Sequence, residues 1–325
     1  MIQSKKNKSG KLWLILKIVL ALCAFWFIYK KVITHESSKD YFIQLKIAFQ
    51  QPGSGLLFFI VLILMIFNWA TEALKWKFMI NKIERLSIRR SLEAVFSGLT
   101  VSFFTPNRIG EYAGRVFHLK EGKRMQATFI TIIENSSQLL ITLLIGSLAC
   151  MIYMDNYLEL NFWIFILVRF LLIVFSIFCL IFFFNLDQFE KFMQRFSLSE
   201  YWRQIFHVFS LYSTKELMKV LLLSIVRYFI FSIQFYILLR IYGSDFPIFA
   251  SFLMIAMTFF VMAVVPTFSI AELGIRGAVS AYFFGKLTVD VLPVLNAAFS
   301  LWLINLAIPA LVGAIFIFHF KLEKS

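Results

Sequence analysis

Long apolar runs recur along this chain, and no other feature restricts its fold as strongly. A helix needs about 20 apolar residues to cross a bilayer. Six runs reach that length, and we expect each to be a membrane-spanning helix: residues 12–33, 56–80, 126–151, 162–184, 216–242 and 291–318. Hydrophobic residues make up 60% of the 325 residues. The sequence therefore predicts an all-α integral membrane protein, with one membrane domain over residues 1–325.

Two further apolar regions, residues 87–120 and 246–286, are each interrupted by a proline. Lipid offers the backbone no hydrogen-bond partners, so a helix break at membrane depth is tolerated only against protein or water. We therefore expect both regions to be broken hairpins, either re-entrant or paired tilted spans, that border a cavity. The expected hinge positions are the two prolines and a glycine after each: Pro106, Gly110, Pro266 and Gly274.

The basic residues lie mainly in alternate connections, the N-terminal arm and the C-terminal tail. Because Lys and Arg in short loops favour the cytoplasmic side, this pattern predicts a bacterial inner-membrane protein with both termini in the cytoplasm. It also accounts for the net charge of +14 without a nucleic-acid partner. Residues 187–214 mix aromatic and charged side chains, which predicts an amphipathic helix on the cytoplasmic surface.

The two halves of the chain match at an offset of 161 residues. The shift superposes three polar residues on identical ones: Glu111 on Glu272, Arg115 on Arg276 and Asn135 on Asn296. It also superposes the second predicted span on the fifth, which had no part in choosing the offset. Because three crossings per half would invert the second copy, we predict an inverted repeat with halves 12–152 and 162–318. A chance likeness of apolar helices is the alternative.

The segment around Pro106 has the features of an anion site. Proline stops one helix and can begin the next, with Thr105 or Asn107 as the N-cap, so unpaired N–H groups would face the break. Arg108 and Arg115 fall about two turns apart on one helix face, and guanidinium groups match phosphate oxygens. We therefore predict that both bind an anionic ligand, and that Arg115→Ala abolishes transport without disturbing the fold.

In both hairpins a glutamate stands four residues before an arginine, as Glu111/Arg115 and Glu272/Arg276. On an exposed helix such a pair contributes only about 0.2–0.5 kcal/mol. Ser269 and Glu272 also have the spacing of a capping box. The spacing thus leaves two roles open for each glutamate, helix stabilisation or ligand binding.

Polar and charged side chains form stripes on the faces of several predicted spans. A charge at the bilayer centre costs about 2.5–3.5 kcal/mol on insertion scales, so these groups should face the protein interior and be paired. We expect Glu72 to pair with Arg227. A purely structural buried pair is the alternative to a functional one. The intramembrane polar residues singled out in this way are Glu72, Glu134, Asn135, Gln138 and Arg227.

Signatures of enzymes are scarce. The four histidines form no metal-ligand pair, and the sequence has neither a glycine-rich nucleotide loop nor a Gly-x-Ser-x-Gly elbow. Cys23, Cys150 and Cys179 lie in apolar segments without metal or disulfide spacing. We therefore predict no metal, no cofactor and no catalytic residue.

Residues 98–115, GLTVSFFTPNRIGEYAGR, followed by Glu134-Asn135 in a polar-striped span, resemble the flippase-like membrane domain family. This is the lysylphosphatidylglycerol synthase transmembrane region, the membrane half of the multiple peptide resistance factor. Pro266 with Glu272-Leu-Gly-Ile-Arg276 is similar to the family's second motif, although Thr-Phe-Ser at 267–269 replaces its usual glycine-rich residues. The resemblance covers residues 50–318 and implies movement of a lipid between leaflets.

Together these features favour a flippase or transporter for an anionic phospholipid or lipid-linked precursor, with a phosphate-bearing membrane lipid as its partner. The expected substrate-binding residues come from both hairpins: Arg108, Glu111, Arg115, Glu272 and Arg276. In larger relatives aminoacylation belongs to a separate soluble domain, which the seven residues after the last span cannot form. Two other classes stay open, a membrane-embedded enzyme acting on a lipid headgroup or lipid-linked sugar, and a non-catalytic partner of an envelope-synthesis enzyme. The sequence does not indicate the oligomeric state.

Overall fold

The computed structural model describes residues 36–103, 105, 108–159, 161–196, 199–265 and 269–319. The first predicted span, residues 12–33, lies outside the described residues, and so do Pro106 and Pro266. Within the described ranges the chain forms α-helices joined by short connections and contains no strand. The predicted all-α class is confirmed.

Thirteen α-helices occupy the described part of the chain. They are α1 Glu36–Gln50, α2 Ser54–Ile80, α3 Ile88–Ser102, α4 Gly110–Val116, α5 Arg124–Tyr157, α6 Phe162–Phe184, α7 Leu186–Gln194, α8 Glu200–Phe206, α9 Thr214–Ile241, α10 Ile248–Val264, α11 Ser269–Phe284, α12 Leu292–Trp302 and α13 Ile308–His319. A π-helical turn, Leu303–Ala307, joins α12 to α13.

Five helical stretches of the described chain are long and apolar enough to cross a membrane. They are α2, residues 121–157, α6, α9 and residues 292–317. Each corresponds to one of the predicted spans. The protein is therefore a multi-pass membrane protein. Its helix α6 has no buried residue in its most apolar stretch, as expected of a helix that faces lipid.

Local side-chain caps explain where three of these helices begin. Ser87 Oγ accepts a hydrogen bond from the Arg90 N–H at the start of α3. Asn161 Oδ1 accepts one from the Trp163 N–H at the start of α6. Ser213 and Glu216 form a reciprocal capping box at the start of α9.

Both proline-broken regions have the predicted form of two helices around a break. In the first, α3 packs on α4, and glycines allow their backbones to approach closely. A Cβ at Gly114 would lie only 2.5 Å from the Gly98 Cα, and one at Gly110 only 2.5 Å from the Val101 carbonyl oxygen. Small residues at helix contacts are typical of membrane proteins. In the second region, α10 packs on α11.

A matching close contact is missing at Gly274, the expected hinge of the second hairpin. A Cβ at this position would meet no atom of the described residues within 4 Å. Gly110 is thus required by packing, whereas Gly274 is not required by any contact within the described chain.

Helix bounds recur at the offset found in the sequence. Shifted by 161 residues, α2 would cover residues 215–241, and α9 covers 214–241. Likewise α3 would cover residues 249–263, and α10 covers 248–264. These two helices of each half therefore share their boundaries at this offset, and the inverted repeat stays a prediction.

The segment predicted as one amphipathic helix, residues 187–214, is divided in the structure. It contains α7, α8 and a 3₁₀ turn at His207–Ser210. A serine-rich sequence separates α7 from α8, and serine favours caps and turns because its hydroxyl competes for backbone groups. Phe206 and Phe209 pack on Phe129 of α5. This end of the segment therefore contacts protein, and its position on the membrane surface stays a prediction.

Replacing Gly114 with alanine tests the close packing inside the first hairpin. The new methyl group would collide with the backbone of α3, and overpacking typically costs about 1–3 kcal/mol. We expect a lower midpoint of thermal unfolding in detergent. Gly55→Ala is the matched control, since a Cβ there meets no described atom within 4 Å. Equal midpoints for the two variants would contradict the packing.

Candidate functional site

A cavity of about 580 Å³ lies between the two broken hairpins and helices α2, α5 and α9. Its walls also include Asn305 and Leu306 of the π turn. Seven of the residues singled out in the sequence line it: Arg108, Glu111, Asn135, Gln138, Arg227, Glu272 and Arg276. The tertiary structure thus brings together these seven predicted residues, which are up to 168 residues apart in the chain.

Three other predicted site residues, Glu72, Glu134 and Arg115, are buried beside the cavity rather than in its wall. Arg115 Nη2 lies 2.5 Å from Glu72 Oε1, and its Nη1 lies 3.0 Å from Glu134 Oε2. Arg115 Nη2 also pairs with Glu111 one turn earlier. Lys75 Nζ lies 2.8 Å from Glu134 Oε1 and 3.2 Å from Glu72 Oε2. We call these five residues the buried ion network.

The charged groups of the buried ion network are buried, so each needs a partner of opposite charge. The side chains of Glu72, Lys75, Arg115 and Glu134 are at most 1% exposed. An unpaired buried charge costs several kcal/mol, and a close partner of opposite sign offsets that cost. The network therefore stabilises the packing of α2, α4 and α5.

Arg115 thus has a different environment from the one predicted. Its two terminal nitrogens are taken by three carboxylates, and it belongs to a cluster separate from that of Arg108. The two arginines do not present one shared face to a ligand. The expectation that Arg115→Ala leaves the fold intact is corrected as well, because the substitution would deprive buried carboxylates of their cation.

Arg227 connects the buried ion network to the cavity. Its Nη1 lies 2.7 Å from Glu72 Oε2, which is the predicted pair. Its Nε donates to Asn68 Oδ1 at 3.0 Å, and its guanidinium lies 5.4 Å from the Trp69 ring centroid. Asn68 in turn donates to Asn305 Oδ1 at 3.2 Å.

A second cluster joins the two hairpins across the cavity. Arg108 Nη2 donates to both carboxylate oxygens of Glu272, each at 2.9 Å. Arg276 Nη2 donates to Glu272 Oε1 at 2.7 Å. Glu272 is therefore shared by one arginine from each hairpin, rather than free to cap the start of α11.

Arg108 occupies an unusual backbone conformation at the first break. Its φ is 56°, and among the described residues it is the only non-glycine with positive φ. Such a conformation costs energy and is kept where the surrounding structure requires it. Thr105 lies five residues before Gly110, the first residue of α4. Its Oγ1 accepts a hydrogen bond from the Gly110 N–H at 2.7 Å. The N-cap position of α4 is Ile109, without a side-chain cap, so Thr105 is not the predicted N-cap, although it binds the first N–H of the helix. Arg108 is directed toward Glu272.

Arg276 keeps donors that no described residue accepts from. Its side chain is 7% exposed, and neither Nε nor Nη1 has a hydrogen-bond partner in the described part of the chain. Its guanidinium lies 5.7 Å from the Phe231 ring centroid. Buried donors are nearly always paired, and among the described residues that line the cavity Arg276 has two such donors without an acceptor.

The spacing of Asn68 and Lys75, four before and three after Glu72, places them on the same helix face as Glu72, but neither was included among the predicted site residues. Sequence reasoning missed Asn305. Asn305 lies in an apolar run with no such signal, and a π turn presents it to Asn68. In the described ranges no group of three or more His, Cys, Asp or Glu side chains could hold a metal ion.

Removing one partner of the buried ion network should destabilise the protein. Glu134→Gln leaves Lys75 and Arg115 with fewer compensating charges, and breaking a buried pair typically costs about 3–5 kcal/mol. We expect a clear loss of thermal stability in detergent. The double variant Lys75→Met with Glu134→Gln removes both members of one pair and should be more stable than Glu134→Gln alone.

The matched control is Glu93→Gln, which removes the same charge from an exposed pair with Arg89. Exposed helix pairs contribute about 0.3–0.5 kcal/mol, so this variant should unfold close to the unchanged protein. If Glu134→Gln and Glu93→Gln were equally stable, the buried ion network would have no structural role.

Comparison with known proteins places the chain in a family. Neither the curated proteins nor the solved structures compared with it gave a match. The sequence profile described as "Lysylphosphatidylglycerol synthase TM region" matches residues 14–313. This stretch includes both hairpins, the buried ion network and the cavity. The chain therefore belongs to the lysylphosphatidylglycerol synthase transmembrane-region family.

Proposed function

We propose that this protein moves an anionic phospholipid, or an anionic lipid-linked precursor, between the two leaflets of its membrane. The observation that carries the proposal is the cavity between the broken hairpins, which combines an excess of positive charge with an apolar rim. The anionic headgroup of a lipid would bind at the excess positive charge, and the acyl chains of the lipid would contact the apolar rim.

The charge of the cavity favours an anion. Three arginines line it, Arg108, Arg227 and Arg276, against two carboxylates, Glu111 and Glu272. With every group ionised, one positive charge is in excess. Because a net charge is costly at membrane depth, an anionic group that enters the cavity would balance it. Arginine also suits phosphate better than lysine does, since its planar fork can bind two oxygens at once.

The rim of the cavity favours an amphipathic ligand. Leu139 on α5 and Val264 and Val265 at the end of α10 line the cavity and are also 44%, 59% and 39% exposed. These side chains therefore belong to both the cavity wall and the outer surface. A headgroup bound at the arginines could keep its acyl chains in the hydrocarbon by passing them over this rim.

Alternating access is the mechanism that fits two hairpins meeting at one cavity. The contact between them is the pair Arg108–Glu272, and Arg108 is 39% exposed. Glu272 is only 5% exposed, but it also pairs with Arg276, so it keeps a cation when Arg108 leaves it. In the proposed cycle the anion competes for these arginines, and the two hairpins separate on one side of the membrane at a time.

A transport assay in reconstituted vesicles tests the proposal. The purified full chain is placed in liposomes with a fluorescent phosphatidylglycerol or a fluorescent phosphatidylcholine, and exchange between leaflets is followed by quenching the outer label. We expect the phosphatidylglycerol to exchange faster than in protein-free vesicles, and faster than the zwitterionic lipid. Equal rates with and without protein would overturn the proposed function.

Blocking the cavity should stop this exchange. Ser136 lines the cavity on α5, so Ser136→Trp fills space the headgroup needs, and exchange should fall at least tenfold. Leu148→Trp is the matched control, because Leu148 lies on the same helix and is 61% exposed on its outer side. Undiminished exchange by Ser136→Trp would contradict passage through this cavity. Conversion of the labelled lipid into a new compound would instead support an embedded enzyme.

A further inference from the structure

We propose that Arg276 binds a single phosphodiester group of the transported lipid, and that Glu272 limits the site to ligands with one negative charge. The lipid source of this group rests on the proposed function. The site itself rests on three observations: the unequal surroundings of Arg115 and Arg276, the two nitrogens of Arg276 that have no partner among the described residues, and the charge balance of the cavity.

The first observation concerns the two arginines that the sequence repeat superposes. Arg115 is surrounded by Glu72, Glu111 and Glu134. At the offset of 161 residues, Glu111 corresponds to Glu272, but the positions of Glu72 and Glu134 are occupied by apolar Ile233 and Leu295. The second half has therefore kept the arginine and one carboxylate, and lacks the two others that neutralise Arg115.

The second observation is the hydrogen bonding of Arg276. Of its three guanidinium nitrogens, only Nη2 has a partner in the described chain, Glu272 Oε1 at 2.7 Å. The side chain is more than nine-tenths buried and lines the cavity. A buried donor without an acceptor destabilises the fold, and an oxygen of a bound phosphodiester would supply the missing acceptor.

The geometry of the guanidinium adds a consequence for Glu272. Each edge of the group that can hold two oxygens includes Nη2, together with either Nε or Nη1. Nη2 carries two hydrogens, one directed toward each of these edges, so Glu272 Oε1 occupies one edge and the other can still hold two phosphate oxygens. Glu272 therefore need not yield when a phosphodiester binds to Arg276, and both of its oxygens also accept from Arg108.

The third observation sets the charge of the ligand. The cavity has one positive charge in excess, from three arginines and two glutamates, and the groups of the buried ion network behind its wall, Glu72, Lys75, Arg115 and Glu134, balance one another. A phosphodiester carries one negative charge and neutralises this excess. A phosphomonoester carries about −1.5 to −2 at pH 7 and would leave negative charge in excess. The cavity should therefore prefer the diester.

Binding to the purified full chain in detergent, with no transport involved, tests this site. The probes are short-chain phosphatidylglycerol, short-chain phosphatidic acid with the same acyl chains, and inorganic phosphate. We expect phosphatidylglycerol to bind at least tenfold more tightly than phosphatidic acid. Inorganic phosphate should bind more weakly than either, because it cannot use the apolar rim. Equal binding of phosphate and phosphatidylglycerol would show an anion site that does not recognise lipid.

Substitutions test separately the binding of the phosphodiester by Arg276 and the limit that Glu272 sets on the charge of the ligand. Arg276→Gln should weaken phosphatidylglycerol binding at least tenfold, and Arg276→Lys should weaken it too, since lysine keeps the charge but not the planar fork. Glu272→Gln raises the excess positive charge by one and should reduce or reverse the preference for the diester over phosphatidic acid. Arg240→Gln is the matched control, because Arg240 forms an exposed pair with Asp245 away from the cavity.

The outcomes distinguish this site from the proposed function. Unchanged affinity in folded Arg276→Gln or Arg276→Lys would overturn the site even if the unchanged protein exchanges lipid in vesicles. An unchanged lipid preference in folded Glu272→Gln would overturn the charge limit. Loss of binding in Arg276→Lys, with no exchange by the unchanged protein in vesicles, would support the site and overturn the transport proposal. Thermal unfolding of each variant identifies those that are folded. If Arg276→Gln does not fold, the binding affinity of Arg276→Lys, which keeps a charge to pair with Glu272, tests the site instead.

Discussion

Pairing of buried charges is the constraint on which the rest of this structure depends. Glu72, Lys75, Arg115 and Glu134 come from three helices and lie where water cannot solvate them. Each is acceptable there only because groups of opposite sign lie within hydrogen-bond distance. A shift of one helix by a turn, about 5.4 Å, would separate these pairs. The network therefore sets the register of α2, α4 and α5, and these helices form the walls against which the cavity is built.

The cavity itself has the opposite electrostatic character. Its cations are not fully matched, and Glu272 is shared between Arg108 and Arg276. This difference follows from the helix breaks, which bring two arginines from separate hairpins to one carboxylate. The groups of the buried ion network behind the cavity wall are balanced in charge, whereas the groups that line the cavity have one positive charge in excess. The network stabilises the fold, and the cluster has donors left for a ligand.

The repeat shows how similar sequences acquire these different roles. Glu111 with Arg115 and Glu272 with Arg276 have the same spacing on helices that follow a break. Only the first pair is met by carboxylates from neighbouring helices. The distinction thus arises from the flanking spans rather than from the hairpins, and a hairpin motif alone does not tell which arginine is free to bind.

Much of the fold followed from local properties of the sequence. Apolar length predicts spans because the bilayer has a fixed thickness, and five of the six predicted spans have matching helices in the described chain. The pair Glu72–Arg227 was predictable because both groups are costly in hydrocarbon and each needed a partner. The single helix over residues 187–214 was wrong, since aromatic and charged composition does not show where serines interrupt a helix.

Hydrophobic length and the cost of a lone charge are properties of short segments, so the sequence by itself determined the helical class, the two broken hairpins and the residues that had to be paired. Which carboxylate meets which arginine depends on helices far apart in the chain. Only the tertiary structure decided that Arg115 meets three carboxylates, whereas Arg276 meets one and has two nitrogens without a partner among the described residues. The reason is that spacing along one helix specifies a face, and the neighbours of that face come from other helices.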